Sequence, residues 1–153
     1  MNLSEQAGPG LDGIAQLRAL IGTGRRPGMM RTLDFDLVEV EPGRVVFAGT
    51  PGEHAYNAIG SVHGGYAATL LDSACGVAVH SKLTAAQAYT TLDLNISYLR
   101  PLTLDSGLVR AEGRVRSIGR RAAFAEATLT DSQGRLCATA TSTLLVFERS
   151  PTA

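Results

Sequence analysis

Residues 63–80 read HGGYAATLLDSACGVAVH, and no other stretch constrains the fold as tightly. A surface helix keeps one polar face, but Tyr66, Ala67, Ala68, Leu70, Leu71, Ala74 and Cys75 leave this one almost none. Such a helix needs other elements packed around it. Asp72 stands in its middle, the only carboxylate between Glu53 and Asp93. Burying an unpaired carboxylate costs roughly several kcal/mol, or raises its pKa until it is neutral. Two readings follow. Asp72 is a bonded or exposed acid at a helix edge, or it is a catalytic carboxylate in a low-dielectric cleft, acting as nucleophile or general base.

The elements around the helix are legible from period and punctuation. Leu11, Ile14, Leu17, Leu20 and Ile21 recur at helical spacing, and GTGRRPG then breaks the chain. Leu33, Phe35, Leu37, Val38 and Val40 suggest a strand, and EPGR turns it into a second strand over about 44–50. After the long helix come four segments rich in Val, Leu, Thr, Ile and Phe, at 89–99, 107–117, 121–131 and 135–147. The order helix, two strands, long helix, four strands predicts an α+β fold, with an antiparallel sheet packed against one central helix. Residues 1–10 carry Gly, Pro and Ser without periodicity and read as a loose arm.

The 153 residues suit one domain, somewhat apolar for a lone monomer at 44% hydrophobic residues. Fourteen basic and fourteen acidic residues cancel, which argues against nucleic acid or an anionic membrane as partner. No apolar run approaches the roughly 18 residues of a membrane span, and no signal-peptide core opens the chain. Cys75 and Cys137 lie in apolar contexts that suit reduced, buried thiols. A soluble cytoplasmic protein is expected.

Several residues could carry chemistry. Gly64 and Gly65 open the long helix, where the first N–H groups lack intrahelical partners. Without a β-carbon a ligand oxygen can approach those donors, and the helix dipole favours it there. A flexible helix start explains the pair equally well. Asn57 could orient a water or a carbonyl, or simply stabilise its turn. His54, His63 and His80 show no metal-ligand spacing with either cysteine. Ser61 and Ser73 lack a nucleophile-elbow context, and a Cys75 thiol near Asp72 is a poor nucleophile.

The stretch NAIGSVHGGYAATLLD, residues 57–72, resembles the active-site segment of hotdog-fold acyl-CoA thioesterases. It is most similar to the phenylacetate-degradation type, which carries Asp at the end of this pattern; the related 4-hydroxybenzoyl-CoA thioesterases carry Glu. The similarity runs from about Val38 to Phe147. It implies a hotdog fold, an antiparallel sheet wrapped around a long central helix, over residues 31–150. An N-terminal arm and short helix precede it over residues 1–30. The resemblance implies hydrolysis of an acyl-CoA without metal or cofactor. Asp72 would be the catalytic carboxylate, and Gly64 the backbone donor to the thioester carbonyl. Asn57 would place the thioester or water, His63 would hold the loop presenting Gly64, and Thr91 would help hold the water. Gly65, Arg100, Arg120 and Arg121 would bind substrate, the arginines near the phosphates of coenzyme A; surface arginines are otherwise commonly just solvated. Position 76, a Thr in the Glu-bearing relatives, is Gly here.

Two alternatives stay open: an acyl-thioester hydratase or dehydratase using His63 with Asp72, and a non-catalytic acyl-CoA binder. Spacing adds one constraint. Gly64 and Asp72 are eight residues apart, roughly 12 Å along a helix rising about 1.5 Å per residue. A reacting carbonyl must sit about 3 Å from both oxyanion donor and attacking group. One chain cannot supply both, whereas two antiparallel copies of the helix about a two-fold axis could. The resemblance likewise implies a homodimer with shared sites, paired further into a homotetramer.

Overall fold

The computed structural model describes residues 7, 8 and 10–150, so the arm expected over residues 1–10 lies outside the described residues except for Ala7, Gly8 and Gly10. Two helices come first, α1 (Gly13–Thr23) and α2 (Gly28–Leu33), then strands β1 (Phe35–Glu41) and β2 (Arg44–Gly49). The long helix α3 (Gly64–His80) follows. Strands β3 (Gln87–Tyr98), β4 (Val109–Ile118), β5 (Ala122–Thr130) and β6 (Leu136–Glu148) complete the domain. All six strands form one antiparallel sheet in the order β1-β2-β4-β5-β6-β3, curled around α3. This is the hotdog arrangement.

Helix α3 is the core. Leu70, Leu71, Ala74, Cys75, Ala78 and Val79 are fully buried against the inward-facing residues of the sheet, among them Val109, Ala111, Leu129 and Leu144. What lets the helix lie so close is Gly113 on β4. A β-carbon there would sit 2.1 Å from the Ala74 carbonyl oxygen, so helix backbone rests on bare strand backbone. The helix ends at Ser81, whose Oγ donates to the Ala78 carbonyl and accepts from the Gly43 N–H, tying its end to the β1–β2 turn.

Helix α1 is docked on the domain. Asp12 caps it by accepting from the Ala15 N–H, and Leu17 and Leu20 are buried in the common core. Gly13 lies so near His80 that a β-carbon would overlap the His80 carbonyl at 1.7 Å. Met30 joins Leu17 and Leu20 in that same core. The strand expected from Leu33 starts instead at Phe35, because Gly28–Leu33 form α2, closed by Asp34 in the left-handed region at φ 55°.

One buried polar contact secures α1. Gln16 donates through Nε2 to the Leu11 carbonyl (2.8 Å), leaving Oε1 to accept from His80 Nε2 at 3.0 Å. Burial, with a smaller contribution from Arg149, pushes His80 down to about 4.

Two predictions follow from this packing. Gly113→Ala lowers stability by about 2 kcal/mol or more, because it forces α3 off the sheet. Gly22→Ala, in α1 with open space around it, stabilises by roughly 0.5–1 kcal/mol. Urea unfolding of the two variants checks the contrast. For His80 the folded state holds the proton less tightly than the unfolded chain, so its contribution is complete above about pH 6.5 and is lost as pH falls towards 4. Between pH 7 and pH 4, wild type should lose on the order of 2–3 kcal/mol more than His80→Gln, as read from urea midpoints at each pH.

Candidate functional site

The N-terminus of α3 is built by a loop that satisfies its own polar groups. Asn57 Oδ1 accepts from the Ile59 and Ser61 N–H groups, and its Nδ2 donates to Ser61 Oγ. Asn57 is thereby spent largely on the loop. His63 is the N-cap of α3: its Nδ1 accepts from the Gly65 N–H at 2.8 Å. The Gly65 N–H is thereby taken up by the cap. The Gly64 N–H, by contrast, makes no hydrogen bond among the described residues. It stands at the positive end of a 17-residue helix.

Gly64 lines a pocket of about 310 Å³. Val62, Ala67, Leu99, Leu102 and Leu129 give it apolar walls, and Arg100 is the charged residue on its lining. Tyr98, at the end of β3, closes one side and donates from its hydroxyl to the Gly64 carbonyl at 2.7 Å, which fixes the first turn of α3. Nothing in the spacing of the sequence marks Tyr98; it reads as an ordinary strand aromatic, 34 residues from Gly64.

Asp72 is not in this pocket. It lies two turns further along α3, partly buried, and accepts from Thr91 Oγ1 at 3.1 Å. Thr91 belongs to β3, so the strand that meets Gly64 through Tyr98 meets Asp72 through Thr91. The acid is therefore bonded, which avoids the cost of burying it alone. Its charge, second to burial, helps push the Cys75 thiol up to about 12, so Cys75 is no nucleophile.

The arginines divide. Arg100 donates its backbone N–H to the Cys137 carbonyl near the start of β6. Arg120 and Arg121 occupy the β4–β5 turn, where Ala122 pairs with Leu145 of β6 and Leu145 with Thr90 of β3. Eight residues of strand separate Cys137 from Leu145, about 26 Å. Within one chain, then, the arginines do not share a site: Arg100 lies at the Gly64 end of the sheet, Arg120 and Arg121 at the Thr91 end. The candidate residues thus fall into two groups, one with Gly64, Tyr98 and Arg100, the other with Asp72, Thr91 and the β4–β5 turn.

β3 is an edge strand of 12 residues, its outer side unpaired among the described residues, with Leu92 59% exposed. Among the described residues no group of three or more His, Cys, Asp or Glu side chains gathers to hold a metal ion. No described helix is long and apolar enough to cross a membrane.

The profile of the thioesterase superfamily matches residues 59–138, from the loop before α3 to β6. Human acyl-coenzyme A thioesterase 13 is 34% identical over 103 residues, 67% of this chain and 72% of the relative. A Halobacterium salinarum protein provisionally named an esterase is 48% identical over 71 residues, 42% of this chain and 43% of that protein, so less than half its length is spanned. Among solved structures, a phenylacetic acid degradation-related protein from Ralstonia eutropha is 30% identical with a TM-score of 0.74. That match covers 84% of this chain and 96% of the other.

Proposed function

The chain belongs to the thioesterase superfamily, and from that premise we propose that it hydrolyses an acyl- or aryl-CoA thioester to the free acid and coenzyme A. The observation that carries this reading is the unpartnered Gly64 N–H at the head of α3, opening on an apolar pocket with Arg100 on its lining. An acyl chain suits the apolar walls, the thioester oxygen suits the Gly64 donor, and a CoA phosphate suits Arg100. The similarity to acyl-coenzyme A thioesterase 13 supports a CoA ester. The likeness to the phenylacetic acid degradation-related protein supports the phenylacetate-degradation type.

Asp72 is the attacking carboxylate or the base that activates water. The reaction adds hydroxyl to the acyl carbon and a proton to the departing sulfur. The carbonyl oxygen gathers negative charge on the way, and the α3 dipole and the Gly64 N–H stabilise that charge where it forms. Thr91 holds the Asp72 carboxylate in one orientation. Asn57 and His63 act one step back, shaping the loop that presents Gly64. With Nδ1 committed to the cap, His63 gives little support to a His63–Asp72 hydratase pair.

Each site is shared. A dimer pairs β3 with β3 of a second copy across the open edges, so that the partner subunit's Asp72 meets Gly64 of the first. The unpaired outer side of β3 and its exposed Leu92 support this, since an open edge of that length invites pairing. The same two-fold would bring the partner's Arg120 and Arg121 towards the Arg100 end of the pocket. On this reading dimers pair further into a tetramer. Two free buried cysteines suit a reducing compartment, and the enzyme is taken as cytoplasmic.

Steady-state kinetics over a panel of aryl- and alkyl-CoA esters tests the reading. Asp72→Asn should keep the fold, bind acyl-CoA and lose turnover by on the order of 10²-fold or more. Arg100→Ala should raise KM with kcat nearly unchanged. Near wild-type turnover in Asp72→Asn would contradict the assignment and favour a binding protein or another chemistry.

A further inference from the structure

Beyond Thr91, a second side chain of β3 reaches towards Asp72. Tyr89 lies two residues before Thr91, on the same face of the strand. Its ring covers Gly76, one helical turn after Asp72. A β-carbon on Gly76 would lie 2.8 Å from Tyr89 Cε2 and 2.9 Å from its hydroxyl oxygen. Positions four apart on a helix hold their β-carbons about 5–6 Å apart, which puts Tyr89 on the stretch of helix next to Asp72, close enough for the Asp72 charge to act on the phenol. It makes no hydrogen bond among the described residues, and Asp72 Oδ2 accepts none. On its other side the ring packs against His80, centroids 5.9 Å apart, and His80 Nε2 is taken by Gln16.

We propose that the Tyr89 hydroxyl holds the hydrolytic water against Asp72, as a positioning residue of the carboxylate half-site. An unpaired donor and an unpaired carboxylate oxygen facing one partly buried space are both satisfied by a single bridging water. Thr91 orients the carboxylate through Oδ1, and Tyr89 fixes the water on the other oxygen. The glycine at position 76 is then explained: any side chain there would displace the phenol. Burial first, and the nearby Asp72 charge second, push Tyr89 up to about 12, so it remains a donor through the working pH range.

This inference rests on Asp72 being the attacking or activating group, and the experiment separates the two claims. Tyr89→Phe removes one oxygen and little else. It should lower kcat for the best acyl-CoA ester by about tenfold or more, with KM within about twofold and the thermal midpoint unchanged. Tyr89→Ala should lose at least as much. Adding Gly76→Ser to Tyr89→Ala returns a hydroxyl to the vacated space and should recover several-fold in kcat, which a purely packing role would not produce. Wild-type kcat in Tyr89→Phe beside an inactive Asp72→Asn overturns the proposal, as does a loss confined to KM or to stability. An active Asp72→Asn would instead overturn the reading beneath it.

Discussion

The helix carbonyl of Ala74 rests where a side chain on Gly113 would begin, 2.1 Å from that missing β-carbon. The depth at which α3 sits in the sheet depends on this contact of backbone on backbone. With the helix at that depth, Asp72 comes within 3.1 Å of Thr91 and the Tyr89 phenol fits over Gly76. Raising the helix by one methyl group would spread those groups apart. The fully buried residues of α3 then lock the height by close packing, since a dense core tolerates little displacement.

The same rigid helix carries both Gly64 and Asp72 and keeps the two apart. Gly64 and Asp72 ride on one axis at roughly 12 Å, and β3 follows the same split, with Tyr98 at its end and Thr91 in its first half. Arg100 and the Arg120–Arg121 turn repeat it a third time, at opposite ends of the sheet. Three pairs of groups, each split the same way along the molecule, are what a two-fold axis across β3 would reunite. A single chain offers an unpartnered N–H beside a pocket, and separately an oriented acid. In the proposed dimer the pairing joins them into one site.

Much of this was legible before any coordinates. The apolar run with its lone acid, the double glycine before it and the four strands after it specify a helix wrapped by an antiparallel sheet. The helix rise alone sets Gly64 and Asp72 roughly 12 Å apart within one chain. What stayed hidden has identifiable causes. Helix α2 is six residues long, follows Pro27 without a side-chain cap and buries only Met30, too little to show periodicity. Tyr89 and Tyr98 satisfy strand patterning, so nothing in the sequence separates a site aromatic from a sheet filler. Arg100 and Arg120 look alike as basic turns, because register, which puts them at opposite ends, is a property of strand pairing and not of spacing. Gly65 and Gly64 are neighbours in the sequence, yet the His63 cap takes the donor of one and leaves the other free.

Subunit complementation addresses the shared site most directly. Asp72→Ala removes the acid, and Gly64→Pro deletes the N–H while leaving a first helical position that proline tolerates. Each variant alone should be inactive. Refolded together in equal amounts with random pairing, about half the dimers are mixed, each carrying one intact site, and roughly a quarter of wild-type activity should return. A mixture that remains inactive, although mass spectrometry shows mixed dimers present, would contradict a site built from the two halves.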